Sequence, residues 1–296
     1  MMKQKKLGLF YGAYILSMLI FGTNGYPVSK MSLDSGQIVL MRTLIGGLLL
    51  TVVVLLTGGF DRKAIRAERI PLLVGGAALG LNWVALFTAY RMLNVSLATL
   101  IYYAGPMIVL LLSPILFKEK LTGSKLIAVA VVAVGLVCIS GSIAAGGLSV
   151  PGLLWAVLAA LLYATLITFN KKIVRTSGLQ TAAIELDVAL VVVLIYVLCT
   201  TGLPHIQKSD VPYVLWIGAI NTGLAYLLYF SGLQKLPGQS VALISYVDPV
   251  SALIFSALLL GEKMTAIQLV GAVLIIGGAM LGELLKGKRQ EDPASP

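Results

Sequence analysis

The chain has 296 residues, 58% of them hydrophobic and 11% charged, whereas soluble domains carry about 25% charged residues. A soluble globular core is excluded, because apolar runs of about 18 residues or more recur along nearly the whole length and lipid is then the solvent for most side chains. The net charge of +10 does not indicate nucleic acid, since the basic residues sit in short clusters between apolar runs.

About ten spans follow from the length criterion. The first lies near Leu7 to Tyr26. The segment from Met1 has the basic start and apolar middle of a signal peptide but no small-x-small cleavage site, so it reads as an uncleaved span. The second is near Ser35 to Leu56, the third Ile70 to Tyr90, the fourth Ser96 to Phe117 and the fifth Ser124 to Ser142. The sixth is near Pro151 to Phe169, the seventh Thr181 to Thr200, the eighth Val211 to Leu233, the ninth Ser240 to Leu260 and the tenth Ala266 to Leu285. With the N-terminus in the cytoplasm, 17 Lys and Arg fall inside and 4 outside, with Arg42 left in a span. That bias predicts a multi-pass protein of a bacterial-type cell membrane with both termini cytoplasmic.

The sequence repeats itself at an offset of 143. "LIYYAGPMIVLLLSPILFKEKLT" from Leu100 matches "LISYVDPVSALIFSALLLGEKMT" from Leu243, pairing Tyr103 with Tyr246, Pro106 with Pro249, Glu119 with Glu262 and Thr122 with Thr265. The same register pairs Gly80 with Gly223, Phe87 with Phe230 and Gly135 with Gly278. The expected fold is an all-α membrane protein of two five-helix repeats, 1–146 and 147–286, followed by a tail at 287–296. An odd number of spans inverts the second repeat, and inverted repeats place a substrate site near the midplane between them.

The ten spans, the two halves and the Pro-then-(Gly/Lys)-Glu-Lys-x-Thr ending of the fourth and ninth spans resemble the EamA-type families of the drug/metabolite transporter superfamily. The resemblance covers essentially the whole chain. It implies a central cavity lined by spans one to four and six to nine, with five and ten at the periphery. It also implies a secondary transporter, working by alternating access, that exports amino acids or related small metabolites, coupled to protons or passive. A multidrug or organic cation exporter is the alternative. An intramembrane enzyme would need a nucleophile–base pair or metal ligands at depth, and the sequence offers none.

Asp248 lies about nine residues into its span, so about 13 Å deep. Pro249 follows it and crowds the carbonyl of Ser245, as Pro106 does that of Tyr102, with Gly105 standing where Asp248 does. Gly105, Pro106 and Pro249 are therefore the expected hinges. Irregular backbone at this depth is tolerated only against protein or a wet cavity. A proton or cation site fits Asp248, as does a packing hydrogen bond to a neighbouring helix. At one offset, Arg42 of the second span pairs with Glu185 of the seventh, opposite charges approaching from opposite faces that need not touch. Arg42 fits a substrate-carboxylate clamp or a structural ion pair. Glu185 divides in the same way, and Asp187 lies nearer the opposite helical face. Tyr102, Tyr103 and Tyr246 flank the proline kinks as candidate cavity walls, with Trp83 among the aromatics of these spans. Asn24, Asn82 and Asn221 are polar candidates, each equally suited to an interhelical hydrogen bond. Cys138, Cys199 and His205 form no metal-ligand pattern and no nucleotide-binding motif is present, so no metal or cofactor is expected. The expected partners are a small-molecule substrate, the bilayer and, where coupling exists, protons.

Overall fold

In a computed structural model, which describes residues 2–117, 123–146, 149–233, 235–236 and 244–290, every regular element is helical. The first span is α1 (Met2–Gly22) and α2 (Gly25–Lys30), broken at Thr23–Asn24. The second and third are α3 (Ser35–Leu56) and α5 (Arg69–Met92), joined through the short α4 (Arg62–Ala67). The fourth is split into α6 (Val95–Tyr102) and α7 (Gly105–Phe117). Then come α8 (Gly123–Gly146), α9 (Val150–Asn170) and α10 (Gly178–Thr200). The eighth span is α11 (Val211–Leu215), a π-helical segment (Trp216–Leu224) and α12 (Ala225–Leu233). The last two are α13 (Val247–Leu260) and α14 (Ala266–Gln290). Helix α14 continues through 287–290, where the sequence suggested that the tail begins. The Glu119 copy of the repeated motif falls outside the described residues.

Local chemistry sets the ends. Asp34 and Gln37 form a capping box at α3, and Asn94 Oδ1 accepts from Leu97 N at 2.8 Å at the start of α6. The breaks, by contrast, need partners at depth. At Tyr103–Ala104, bonds from Ala104 N to Ile101 O and from Met107 N to Ala104 O tighten the chain into two single turns, the second of which contains Pro106. The outward face of α3 leaves Leu48, Val52 and Leu55 half or more exposed, which suits a lipid solvent and would be untenable in water.

The packing is that of two inverted repeats. Helices α3 and α8 each pack on their own counterpart, α10 and α14, and α6 of the fourth span packs on α13 of the ninth. Helix α5 packs on α9, and the counterparts of that pair, α12 and α1, pack likewise. The α8–α14 contact shows the two-fold relation at atomic detail. A Cβ on Gly135 would meet Gly271 O, Leu274 and Ile275, while one on Gly278 would meet Ala128 O, Val131 and Val132. Each neighbour in the first set is the 143-residue counterpart of one in the second. Close backbone approach through small residues is how helices pack where water exclusion gives no drive.

Candidate functional site

The repeated Gly-Glu-Lys-x-Thr ending has a visible task in its second copy. Gly261 turns the chain with φ of +68°, a conformation glycine adopts freely, and brings Glu262 to the first turn of α6 in the other half. There Glu262 accepts from Val95 N at 2.8 Å, Ser96 N at 3.0 Å and Ser96 Oγ at 2.8 Å. A carboxylate satisfies the orphan amides of the helix N-terminus and meets the positive end of its dipole. On the same side, Ser32 donates to Asp210 from both its amide and its hydroxyl. On the other side, Glu68 receives the amides of Val174, Arg175 and Thr176 and the Thr176 hydroxyl. Burial raises the Glu68 pKa, but these four donors outweigh it and hold the carboxyl down at about 2. Asp210 is lowered in the same manner, with burial opposing and the Ser32 bonds prevailing.

Between these ends lies one cavity of about 810 Å³. Its lining comes from the first four spans and from the sixth to ninth, with no residue of α8 or α14 among the described side chains. It runs from the break in the fourth span and the start of α13 to the connection that holds Lys171, Ile173 and Thr176. Arg42, Trp83, Tyr102, Tyr103, Tyr246, Asp248, Glu185, Asn24 and Pro106 all line it. Asn82, Asn221, Gly105 and Pro249 do not.

Arg42 is 1% exposed. Its Nε donates to Thr222 Oγ1 at 3.1 Å, and the guanidinium carbon stands 3.6 Å from the Trp83 ring centroid and 5.5 Å from that of Phe87. Aromatic faces and a hydroxyl thus hold the cation, and no described hydrogen bond uses its two terminal nitrogens. Thr222 is itself fixed by the π segment, where its hydroxyl donates to Ile217 O, five residues back, at 2.7 Å. Such segments cluster at functional sites. Neither the π segment nor Thr222 is legible in the sequence, since the apolar pattern of the eighth span is continuous.

Asp248 stands in the first turn of α13 and accepts a hydrogen bond from the Tyr103 hydroxyl. The carboxylate of one half is therefore held at the break in the fourth span of the other. Tyr102 stacks on Tyr163, with centroids 4.6 Å apart and planes at 15°. Tyr90 and Tyr226 line the same cavity as Arg42 and Asp248, and the Tyr90 hydroxyl is 3.1 Å from that of Thr99. The cavity is thus an aromatic chamber that holds the Arg42 guanidinium and the Asp248 carboxylate, with the Glu185 carboxyl on its wall as well.

The remaining candidates divide. Asn221 binds across to the break in the first span, donating to Ile20 O at 2.7 Å, Thr23 Oγ1 at 2.9 Å and Asn24 Oδ1 at 3.2 Å. Asn82 bonds within its own helix, to Ala78 O at 3.0 Å. Gly105 marks close packing, for a Cβ there would stand 2.8 Å from Tyr163 Cδ1 and 3.0 Å from Ala160 O. Asp187 faces away from the cavity and accepts from Thr51 Oγ1 at 3.1 Å. Glu185 is 4% exposed and accepts from Asn170 Nδ2 at 3.3 Å.

The EamA-like transporter family matches this sequence twice, over residues 6–141 and 150–282. "Uncharacterized transporter YxxF" of Bacillus subtilis is 30% identical over 90% of this chain and 87% of its own. A "Probable amino-acid metabolite efflux pump" of Salmonella typhimurium is 31% identical over 62% of this chain and 65% of its own. A solved crystal structure superposes with a TM-score of 0.65 at 20% identity, covering 93% of this chain and 98% of that one, a likeness of fold alone.

Proposed function

This chain belongs to the EamA-like transporter family, and on that premise we propose that it exports zwitterionic amino acids or closely related metabolites across the cytoplasmic membrane by alternating access. The observation that carries the reading is the pairing of Arg42 from one half with Asp248 from the other on a single aromatic cavity. A guanidinium with its terminal nitrogens uncommitted receives a carboxylate in bidentate fashion. A carboxylate backed by a tyrosine receives an ammonium, and the surrounding rings favour both a cation and an apolar side chain. The basic clusters orient the cavity's Lys171–Thr176 end toward the cytoplasm, from which an exporter loads. The efflux pump among the relatives is consistent with this direction.

The test is counterflow of radiolabelled amino acids and their amides in proteoliposomes, wild type against Arg42→Lys. A point charge replacing the planar fork should depress acid transport by about tenfold or more, the worth of a charge-assisted bond. The amides, lacking the carboxylate, should lose much less. Equal losses would remove the carboxylate role. The aromatic walls around Asp248 favour a second reading, export of organic cations. Transport of quaternary ammonium compounds with no transport of amino acids would select it.

A further inference from the structure

Two buried oxygens in the cavity wall lack a donor. Glu185 Oε2 accepts from Asn170 Nδ2, but Glu185 Oε1 and Asn170 Oδ1 are both buried without a hydrogen-bond partner. They converge on one place. A Cβ on Gly75 of α5 would collide with Glu185 Oε1 and stand 3.6 Å from Asn170 Oδ1. Both residues line the cavity at the end near Lys171, away from the Asp248 break. Two unpartnered acceptors buried beside the same glycine are costly, and each such orphan calls for a missing group. A protonated carboxyl carries an O–H donor. One proton on Oε1, donated to Asn170 Oδ1, closes a two-bond ring with the existing amide bond and satisfies both atoms at once. A bare metal cation fits poorly, since hard ions take about six oxygen ligands.

We propose that Glu185 and Asn170 form a proton-carrying site at the Lys171 end of the cavity that also holds Arg42 and Asp248, with Asn170 as the positioning residue. The inference rests on the transport reading only where it makes this proton the coupling ion. The step is simple protonation: a water at that end gives a proton to the Glu185 carboxylate, and the reverse step returns it. The titratable and charged groups that share the cavity with Glu185 include side chains from three other helices. Helix α3 contributes Arg42, α12 contributes Tyr226 and the end of α9 contributes Lys171, all on the same cavity. Helix α5 presents Gly75 and Gly76, and on α10 itself Asp187 turns to Thr51 on the other face.

The test is infrared titration of the full chain in lipid, following the C=O stretch of protonated carboxyl groups. A band that fades as pH rises should be present in the wild type and weaker in Glu185→Gln. In Asn170→Ala its titration midpoint should move, which a merely structural role for Asn170 would not produce. This second variant also serves if Glu185→Gln fails to fold. Replacing sodium by choline should leave the band unchanged, and a change would make the site a metal site instead. Wild-type and Glu185→Gln spectra with the same titrating intensity, or the lack of such a band in the wild type, overturn the proposal. In proteoliposomes, a pH gradient should drive concentrative amino acid movement in the wild type and not in Glu185→Gln. A retained gradient response in the variant also overturns it. Lack of transport of every amino acid with the band behaving as expected would sink the transport reading and leave the proton site standing.

Discussion

The two halves agree at their packing surfaces and differ where they face the cavity. Gly135 and Gly278 make matching contacts in α8 and α14, and an acid stands at the start of the third span, Glu68, and of the eighth, Asp210. The same register sets Arg42 against Glu185, both on the cavity, and Gly105, which packs on α9, against Asp248, which lines the cavity. It also sets regular α5 against a span interrupted by π-helix. Packing needs small residues at fixed spacings, and either half meets that need in the same way. A site for an asymmetric solute needs different groups on its two sides, so divergence between the halves is where chemistry is found.

The largest effect is expected where the halves differ most. Asp248→Asn keeps the shape and the Tyr103 contact but removes the charge that would meet an ammonium. Losing one partner of a buried charged contact costs about 2–5 kcal/mol, so amino acid exchange should fall by about 30-fold or more. Its counterpart fails differently. Gly105→Ala drives a Cβ against Tyr163 and the Ala160 carbonyl, so it should lower the yield of folded protein before it alters binding. Measuring exchange and thermal stability on both variants separates the two. An Asp248→Asn variant with normal exchange would dissolve the contrast.

The packing surfaces should behave alike. Gly135→Ala and Gly278→Ala each insert a methyl where neighbours already stand at 2.8–3.2 Å. Overpacking costs about 1–3 kcal/mol, and the gain in helix propensity returns up to about 1 kcal/mol. Both variants should therefore be destabilised by roughly 1–2 kcal/mol, with similar shifts in thermal midpoint. Stabilisation by either one would mean that the α8–α14 contact is looser than the two-fold geometry requires.

Much of this was legible in the residues. Length, charge bias and the 143-residue offset carry the spans and the two inverted halves, because lipid imposes helices of fixed length and duplication preserves spacing. Arg42, Asp248 and Glu185 stand out because charge is rare at depth. What they touch does not stand out. The Thr222 bond to Arg42 depends on a change of helical pitch that no apolar pattern encodes. Asn170 sits at a helix end beside two lysines, and nothing in the sequence marks it until α10 places Glu185 against it. Glu262 was visible as half of a repeated motif, but its contact with Val95 and Ser96 crosses between halves and spans more than 160 residues of sequence.

The smallest effect concerns the acids at the span ends. Four donors, three amides and a hydroxyl, converge on the Glu68 carboxylate, and they hold its pKa near 2 against an ordinary glutamate value of about 4.3. A depressed folded-state pKa contributes stability that is fully present above the unfolded value and is lost as pH falls through the folded one. The contribution of Glu68 should accordingly persist down to about pH 4 and fade toward about pH 2. Glu68→Gln turns an amide donor toward a ring of donors, so at neutral pH its thermal midpoint should drop by on the order of 5 °C. As the wild-type carboxyl protonates, the difference should narrow. Asp210→Asn should follow the same course, because Ser32 holds that carboxylate in the same way. The measurement is the thermal midpoint of each variant and the wild type in detergent across the acid range. A gap for Glu68→Gln that stays constant down to about pH 2 would show that shape rather than charge holds the third span to the Val174–Thr176 segment.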